Sequence, residues 1–431
     1  MLKVPHVTGY LTEHFGDDDF VTLEGYEARG GYEVARRALS KMEPAEIIEI
    51  VKDSGLQGRG GAGFPAGMKW SFMPEGDEKP KYLVCNADES EPGSFKDRLL
   101  LERGSHQLIE GILIAARATG ARTTFVYVRG EYAHPYRCLQ AAVDEAYAQG
   151  VLGERCLGTR FAHDIVITRG AGAYICGEET GLLESLEGKK GQPRKKPPFP
   201  AQYGAFGMPT TVNNVETFSH VPHILRHGAE WFRGFGTEKS PGTTIFGVSG
   251  HVVRPGLFEL PLGTSLDEIV FEHAGGAPDG ARVKGVIPGG MSMPILPAGQ
   301  LDVPMANEFL RERQTMLGTG GVMVMDDRTC MVRVACVVSW FFRDESCGQC
   351  TQCREGTGWL NKIVTRLERG AGTMDDVDLL LDVAGKMEGQ TICAFADAAA
   401  WPVQGLIRHF RDEFEEHVRQ GKCPFPGSFE L

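Results

Sequence analysis

Residues 105–128 read SHQLIEGILIAARATGARTTFVYV, and this stretch indicates the fold class. Ser105 can cap a helix over 106–118, because its side-chain oxygen can accept a backbone N–H at a helix start. The run 123–128 is rich in β-branched and aromatic residues, which is typical of a buried strand. A helix that leads into a buried strand predicts one repeat of a parallel α/β sheet.

The same alternation continues on both sides of this stretch. The apolar run 82–85 predicts a preceding strand, and a helix over 135–148 and a strand over 165–168 follow. A further helix is predicted over 180–187, ending at Gly188. Strands that alternate with helices in this way place the chain in the α/β class, with a parallel sheet.

A second kind of pattern appears farther along the chain. Strands are predicted over 243–248 and 251–260, with Pro255-Gly256 as a turn signal. A capping box at 264–267 opens a short helix. Strands flanking one short helix predict a small β-grasp-like domain.

After about residue 330 only helical patterns remain, which predicts an all-α C-terminal domain of four helices. The predicted helices cover 331–344, 355–368, 375–387 and 397–410. The predicted domains are a lead-in at 1–57, an α/β domain at 58–240, the β-grasp-like domain at 241–330 and the helical domain at 331–431.

The composition argues against several classes of protein. The chain has 431 residues, 42% of them hydrophobic and 24% charged, as in a globular protein with a core. Its net charge of -12 argues against nucleic acid as a partner. No window reaches the roughly 18 apolar residues of a membrane span, and Asp17, Asp18 and Asp19 do not fit a signal or transit peptide. We therefore expect a cytoplasmic chain that other subunits hold at any membrane on which it acts.

The strongest chemical signal is a group of cysteines near the C-terminus. Cys347, Cys350 and Cys353 have the spacing C-x2-C-x2-C, and Cys393 follows farther along the chain. Three thiolates in a tight loop and one remote thiolate predict a [4Fe–4S] cluster. Zinc, which usually takes ligands as two separated pairs, and a thiol group without metal are the alternatives. The other cysteines are expected to be mostly buried apolar side chains.

A glycine-rich loop precedes the predicted sheet. Residues 58–63, GRGGAG, match G-x-G-x-x-G, but a predicted helix over 44–54 precedes them and Phe64-Pro65 follows, so the dinucleotide fingerprint lacks its strand and its helix. The loop can still form a nest of backbone N–H groups around a phosphate, with charge from Arg59 and Lys69. A purely structural turn is the alternative.

Two polar loops follow predicted strands, where α/β proteins bind ligands. Asn86, Asp88 and Ser90 are suited to hydrogen-bonding a flavin ring or ribityl chain, unless the loop is only a solvated acidic segment. Glu178 and Glu179 precede a helix, where they either recognise a ribose, repelling the extra phosphate of NADPH, or only complement the helix dipole.

Three further features have two interpretations each. The basic loop 189–196 either attracts a pyrophosphate or is a solvated linker. Asn213-Asn214 supplies polar contacts or forms a turn. Phe64, Phe72 and Phe199 are either stacking surfaces or core side chains.

Five motifs together resemble a known family. The chain is similar to the NADH-binding flavoprotein subunit of complex I, of the 51 kDa type, in order over about residues 25 to 410. The motifs are GRGGAGFPAGMKW at 58–70, NADESEPGSFKDR at 86–98, GAGAYICGEETGLLESLEG at 170–188, KPPFPAQYGAFGMPTTVNNVET at 196–217 and ESCGQCTQCREG at 345–356.

This resemblance implies a Rossmann-like FMN and NADH domain, a ubiquitin-like domain and a helical bundle that carries a [4Fe–4S] cluster. By motif position, the implied FMN contacts are Gly58, Arg59, Gly61, Lys69, Asn86, Asp88, Ser90, Tyr174, Gly177, Glu178, Asn213 and Asn214. The implied NADH contacts are Phe64, Phe72, Glu91, Glu179, Lys196 and Phe199, and the implied cluster ligands are Cys347, Cys350, Cys353 and Cys393.

The function implied by the resemblance is NADH oxidation at the entry of an NADH:quinone oxidoreductase. Hydride passes to FMN and electrons then leave singly through the cluster, with no acid or base residue required. The implied partners are a thioredoxin-like [2Fe–2S] subunit and a larger iron–sulfur subunit, in a peripheral arm on the cytoplasmic face of the membrane. The alternatives are the diaphorase subunit of an NAD-linked hydrogenase or formate dehydrogenase and, from another class, a zinc-stabilised scaffold protein.

Overall fold

A computed structural model describes residues 9–76 and 79–425 of the chain. The helices are α1 Leu23–Glu27, α2 Glu33–Lys41, α3 Pro44–Ser54, α4 Ala66–Ser71, α5 Lys96–Arg103, α6 Ser105–Thr119, α7 Ala133–Ala148, α8 Glu179–Leu186, α9 Val215–His227, α10 Ala229–Arg233, α11 Asn307–Leu310, α12 Met331–Glu345, α13 Thr351–Glu368, α14 Met374–Met387 and α15 Phe395–Gln420. The strands are β1 Tyr82–Ala87, β2 Thr123–Val128, β3 Asp164–Arg169, β4 Thr210–Asn214, β5 Thr243–Gly250, β6 Gly256–Pro261, β7 Val283–Ile287, β8 Leu296–Pro297 and β9 Gly321–Asp326.

The first sheet is parallel and has the order β3-β2-β1-β4. Its central strand β1 is buried on both faces. Leu83 and Cys85 of β1 join the core formed with α6 and α9, whereas Val84 joins a core shared with α8 and the C-terminal helices. Helices α6 and α9 approach so closely that a Cβ at Gly111 would lie 2.0 Å from the carbonyl oxygen of Phe218. The parallel sheet and the α/β class are confirmed.

The second sheet is mixed, with the order β6-β5-β9-β7-β8. Strands β5 and β6 are antiparallel, and β5 pairs with β9 in parallel. The predicted strand over 251–260 is shorter than expected, because the chain turns before Gly256. The predicted short helix is a π-helical turn at Glu268–His273, and the Asp267 side chain accepts a hydrogen bond from the backbone of Glu268.

The C-terminal region is helical, and no strand follows β9 in the part of the chain that the structure describes. Helices α12 to α15 share one apolar core with side chains from the first sheet. Helix α15 extends to Gln420, ten residues beyond the predicted end at 410, and its backbone departs from helical geometry at Phe410.

Two local predictions differ from the structure. Ser105 lies inside α6, and its hydroxyl donates to the carbonyl of Leu101 instead of capping the helix. A helix does follow Phe64-Pro65, since α4 begins at Ala66 with Pro65 in extended conformation just before it. Within the described ranges, no helix combines the length and apolar character needed to cross a membrane.

Candidate functional site

Polar side chains meet at the carboxyl edge of the parallel sheet. Asn86 lies near the end of β1, and Asn213 and Asn214 end β4. The register pairs Asn86 with Asn214, so these amides lie on neighbouring strands. The indole nitrogen of Trp70 donates to Asn213 Oδ1 at 2.9 Å, which fixes α4 against this edge. Because ligands of α/β proteins bind at the carboxyl ends of parallel strands, this edge is the candidate site.

The glycine loop 58–63 closes over this edge. Its two ends are tied by hydrogen bonds from Gly58 N to Phe64 O at 2.9 Å and from Ala66 N to Leu56 O at 2.8 Å. A Cβ at Gly60 would lie 3.1 Å from the Cβ of Asn214, so the backbone of the loop approaches β4 closely. Gly61 has φ +114°, which favours glycine. The loop therefore presents backbone, not side chains, to the site.

Arg59 differs from its neighbours because its side chain is buried beneath the loop. Its guanidinium donates to the carbonyl oxygens of Thr243 at 3.2 Å and Pro241 at 3.0 Å. Burial lowers the pKa of this guanidinium. Arg59 thus fastens the glycine loop to the start of β5, and its cation is directed into the protein.

Asp88 is buried directly after β1, and one of its carboxylate oxygens has no partner. The amide oxygen of Asn86 accepts from the Asp88 backbone at 3.0 Å, and the Ser90 hydroxyl donates to Asp88 Oδ1 at 2.9 Å. Oδ2 is buried without a hydrogen bond. Burial raises the pKa of Asp88 to about 7. Asn86 also donates to the carbonyl of Gly177 at 2.8 Å, which joins this loop to the loop after β3.

A buried charged group that the sequence analysis missed supports Asn214. Lys96, only 2% exposed, pairs with Asp97 at 2.9 Å and Glu216 at 2.7 Å. Asn214 Nδ2 donates to Asp97 Oδ2 at 2.5 Å. Burial acts to raise the pKa of Glu216, but Lys96, His220 and Arg59 together outweigh it and lower that pKa. The only sequence signal was the Lys96-Asp97 pair near the end of the motif at 86–98, and nothing linked it to Glu216.

Glu91 connects three separate segments. Its carboxylate accepts from the Tyr174 hydroxyl at 2.6 Å and from the backbone and hydroxyl of Ser292 at 2.7 Å. The Tyr174 backbone in turn donates to Glu345 at the end of α12. Burial raises the pKa of Glu91. Ser292, in the loop between β7 and β8, carried no sequence signal.

The two acidic side chains at the start of α8 have different surroundings. Glu178 caps the helix by accepting from the backbones of Thr180 and Gly181. Glu179 lies between two lysines, 2.8 Å from Lys69 Nζ and 2.6 Å from Lys196 Nζ. Burial opposes the effect of these cations, yet the lysines lower the pKa of Glu179 to about 2. Part of the basic loop is therefore folded onto the site as a partner of Glu179.

Phe64, Phe72 and Phe199 are exposed, by 48%, 54% and 55%, so these rings are not core side chains. The rings of Phe64 and Phe72 lie 6.1 Å apart, on either side of the segment that carries Lys69. Exposed aromatic rings beside paired charges form a surface on which a planar ligand can stack.

The four motif cysteines surround one cavity. Cys347 follows α12, Cys350 and Cys353 lie at the start of α13, and Cys393 precedes α15. All four line a cavity with Pro193, Gln349, Thr391, Ile392 and Phe395. Among the described residues, no three of these four thiols bring their sulfur atoms within 4.8 Å of one another. A single zinc ion needs its ligands closer than that, since Zn–S bonds are about 2.3 Å long, whereas a multinuclear cluster needs a wider setting.

Comparisons with known proteins agree with these features. Residues 51–223 match the Nuo51 FMN-binding domain, residues 245–296 the SLBB domain and residues 333–417 the NADH-ubiquinone oxidoreductase-F iron-sulfur binding region. An F subunit of the NADH-quinone oxidoreductase of Rhizobium meliloti is 53% identical over 94% of this chain and 96% of its own. The corresponding F subunit of Mycobacterium bovis is 51% identical over 97% of this chain and 95% of its own.

A chain of the air-oxidized NAD+-reducing [NiFe]-hydrogenase is also similar in structure. It superposes with a TM-score of 0.82 at 38% identity, over 96% of this chain and 67% of that one. The fold and the cysteine site define a flavin-binding and iron–sulfur class of protein. Within that class, the chain belongs to the family of the F subunits of NADH-quinone oxidoreductase.

The residues present fit both groups that the family implies. For FMN, the site offers a glycine loop of exposed backbone, the short polar side chains of Asn86 and Ser90, and the buried, unpartnered Oδ2 of Asp88 that can accept from a hydroxyl. For a [4Fe–4S] cluster, the cavity offers four thiols.

Proposed function

We propose that this chain is the electron-input subunit of an NADH:quinone oxidoreductase, oxidising NADH at the sheet edge and releasing electrons singly at the cysteine cavity. One observation carries the proposal. The Tyr174 side chain contacts both sites, because its hydroxyl donates to Glu91 and its ring lies 5.8 Å from that of Phe395, which lines the cavity. The two sites are therefore close neighbours.

A flavin accepts a hydride and can give up electrons one at a time, which couples NADH to a one-electron carrier. The residues proposed to bind FMN are those at the edge of the parallel sheet and on the loops above it. They are Gly58, Gly61, Asn86, Asp88, Ser90, Tyr174, Gly177, Glu178, Asn213 and Asn214, with Lys69 beside them and Arg59 holding the loop from beneath. No residue is assigned an acid or base role.

The residues proposed to bind NADH are Phe64, Phe72, Phe199, Glu91, Glu179 and Lys196. The exposed rings are suited to stacking on the nicotinamide and adenine rings. The Glu179 carboxylate is suited to accept from a ribose hydroxyl and to repel a 2′-phosphate. Its two lysine partners hold it in the ionised form that this role needs.

The finer architecture belongs to the same proposal. We assign a lead-in to residues 1–57, of which 1–8 lie outside the described residues, a Rossmann-like domain to 58–240 and a ubiquitin-like β-grasp domain to 241–330. The last domain, 331–431, of which 426–431 lie outside the described residues, is assigned as a four-helix bundle that holds the cluster through Cys347, Cys350, Cys353 and Cys393. The mixed sheet with its π-helical turn and the shared core of α12 to α15 support these assignments.

The proposed setting is a multi-subunit complex. The relatives are named as subunits, and electrons released at the cluster need an acceptor. The proposed partners are a thioredoxin-like [2Fe–2S] subunit and a larger iron–sulfur subunit, in a peripheral arm on the cytoplasmic face of the membrane. A diaphorase subunit of an NAD-linked hydrogenase is the second candidate, favoured by the structural similarity, although this chain spans only 67% of the hydrogenase chain.

The first experiment is an anaerobic visible spectrum of the purified protein before and after addition of NADH. We expect flavin absorbance on a broad iron–sulfur background, with bleaching of the flavin by NADH. Bleaching of the flavin by NADPH but not by NADH would show that NADPH is the electron donor. A protein that stays colourless after reconstitution with both cofactors would refute the redox function and favour the zinc scaffold.

A cysteine variant separates the two sites. Cys350→Ala should leave bleaching of the flavin by NADH intact and abolish electron transfer to a partner iron–sulfur protein, because one cluster ligand is lost. Cys336→Ala, in the same helical region but outside the cavity, is the control and should transfer electrons normally. Transfer at the normal rate by Cys350→Ala would refute the cluster assignment.

A further inference from the structure

A second group of metal-ligating side chains lies in the helical region, apart from the cysteine cavity. Cys330, Glu368, His417 and Cys423 each offer one ligand atom, and these four atoms lie within 4.8 Å of one another. Cys330, Glu368 and His417 are almost fully buried. Cys330 precedes Glu368 by 38 positions and His417 by 87, so no motif spacing indicates the group.

The three distances among Cys330, Glu368 and His417 match those of a tetrahedral site. The Cys330 sulfur lies 3.4 Å from His417 Nε2 and 3.8 Å from Glu368 Oε2, and the last two atoms are 3.4 Å apart. Ligands at tetrahedral corners around a bond length of 2.0–2.3 Å are separated by about 3.3–3.8 Å. These three side chains already stand at the separations that one zinc ion requires.

The surroundings of the group orient its members as they do in metal sites. His417 Nδ1 lies 2.7 Å from the carbonyl of Glu413, so the hydrogen on Nδ1 points there and Nε2 is left for a metal. Arg333 donates to the other oxygen of Glu368 at 2.8 Å, which leaves Oε2 turned toward the group. Arg333 also offsets the negative charge that two thiolates and a carboxylate would leave around a divalent ion.

We propose that Cys330, Glu368, His417 and Cys423 bind one structural zinc ion. Two sulfurs, one imidazole nitrogen and one carboxylate oxygen suit zinc better than harder or octahedral cations. Binding releases the thiol protons and involves no change of oxidation state. Four protein ligands leave no open position, so the ion supports the fold and takes no part in the redox reaction.

The position of this site in the helical region indicates which helix ends the zinc ion would stabilise. Cys330 begins α12, Glu368 ends α13, and His417 and Cys423 stand at and just after the end of α15. The cysteine cavity gathers the opposite ends of the same three helices. Because an 18-residue helix such as α13 is about 27 Å long, the two sites are separated by most of its length. The zinc ion would clamp one end of these helices as the cluster clamps the other.

Metal analysis of the purified full-length protein tests the proposal. We expect about one zinc per chain by mass spectrometry, alongside the cluster iron. The zinc X-ray absorption spectrum should show two sulfur ligands at about 2.3 Å and two nitrogen or oxygen ligands at about 2.0 Å. A shell of four sulfurs would place the zinc in the cysteine cavity and overturn the proposal, as would a zinc-free protein after growth with added zinc. This measurement on the unaltered chain does not depend on any variant folding.

Matched cysteine variants locate the ion. Cys330→Ser and Cys423→Ser should lower the zinc content at least tenfold and leave the iron content unchanged. Cys336→Ser is the control, because Cys336 is also buried on α12 but lies outside the group, and it should keep its zinc. Zinc that persists in Cys330→Ser and Cys423→Ser at the level of the control would refute the assignment. This outcome is independent of FMN and NADH binding.

Discussion

The ionised carboxylate of Glu179 is held between Lys69 and Lys196, and this single residue governs the charge of the proposed nucleotide surface. Sequence reasoning placed a ribose-binding carboxylate here, but the two lysine partners were not predictable, because they come from α4 and from the basic loop. Their presence changes what a substitution should do. Loss of the carboxylate removes a negative charge, takes away the partner of Lys69 and leaves Lys196 paired with Glu178 alone.

Glu179→Gln should therefore admit NADPH. Without the repulsion from Glu179, and with Lys69 released, we expect kcat/KM for NADPH to rise on the order of tenfold, since a partly buried charge contact is worth at least about 1.4 kcal/mol. Steady-state kinetics with NADH and NADPH measure the change. Glu184→Gln, in the same helix and paired with Arg194, is the control. An equal rise in both variants would show that only the general charge of the surface matters.

Asp88 gives a pH-dependent prediction. Its pKa is raised from 3.8 to about 7, so between these values the folded protein keeps a proton that the unfolded chain has lost. Stability should then fall as pH rises from about 4 to about 7. In flavin-free protein, the free energy of unfolding of Asp88→Asn should not fall over this range. Relative to the unaltered protein, the free energy of unfolding of the variant should therefore rise by roughly 2–4 kcal/mol between about pH 4 and about pH 8.

Urea unfolding at both pH values measures this effect. Asp375→Asn, on the exposed surface of α14, is the control and should follow the unaltered protein. Parallel pH profiles for Asp88→Asn and the unaltered protein would contradict the buried, unpartnered state of Asp88.

At the scale of elements, the hairpin of α3 and α4 positions the glycine loop. The two helices pack so closely that a Cβ at Gly67 would lie 2.6 Å from the backbone nitrogen of Lys52. Because backbone cannot move aside as a side chain can, α4 would have to shift. Trp70 on α4 would then strain its hydrogen bond to Asn213, and the loop 58–63 between the helices would follow.

Gly67→Ala should consequently cost about 1–3 kcal/mol of stability and weaken FMN retention. Gly385→Ala, in the last turn of α14 with no atom within 4 Å of the new Cβ, is the matched control. It should be neutral or stabilise by about 0.5–1 kcal/mol. Thermal unfolding and the flavin content after gel filtration measure both effects. Full flavin retention by Gly67→Ala would contradict the role of this packing.

At the scale of the whole molecule, Tyr174 joins the three main parts of the structure. Its hydroxyl meets Glu91 after β1 and Ser292 in the second sheet region, and its ring packs against Phe342 and Phe395 in the helical region. The geometry of the proposed electron path thus depends on one side chain. Neither the neighbouring residues nor the motif around Tyr174 predicted that its side chain would contact all three parts of the structure.

Tyr174→Phe keeps the ring but removes the donor to a buried carboxylate. We expect a loss of about 1–3 kcal/mol of stability and a higher KM for NADH, since the Glu91 carboxylate loses one donor and keeps only its hydrogen bonds from Ser292. Tyr203→Phe, at a tyrosine that is 56% exposed, is the control and should change neither quantity. Unfolding by urea and NADH titration measure them. A stable variant with unchanged KM would show that the Tyr174 hydroxyl is dispensable.

Local pattern predicted much of the fold where a segment carries its own signal. Strand β2 and helix α3 have the predicted bounds, because apolar periodicity and β-branched content act within a few residues. Strand β4 was missed. Its sequence TTVNN is short and polar at one end, and it is a strand only because β1 pairs with it along the sheet edge.

The sequence by itself determined the family, the α/β class and the cysteine motif, since three of the four cysteines stand within seven residues and the motif needs no distant partner to be recognised. Only the tertiary structure decided the pairing of Lys96 with Glu216, the position of Glu179 between two lysines, and the group formed by Cys330, Glu368, His417 and Cys423. The physical reason is the same in each case. Such contacts join side chains far apart in the chain, and their distances exist only after the sheets and helices have packed.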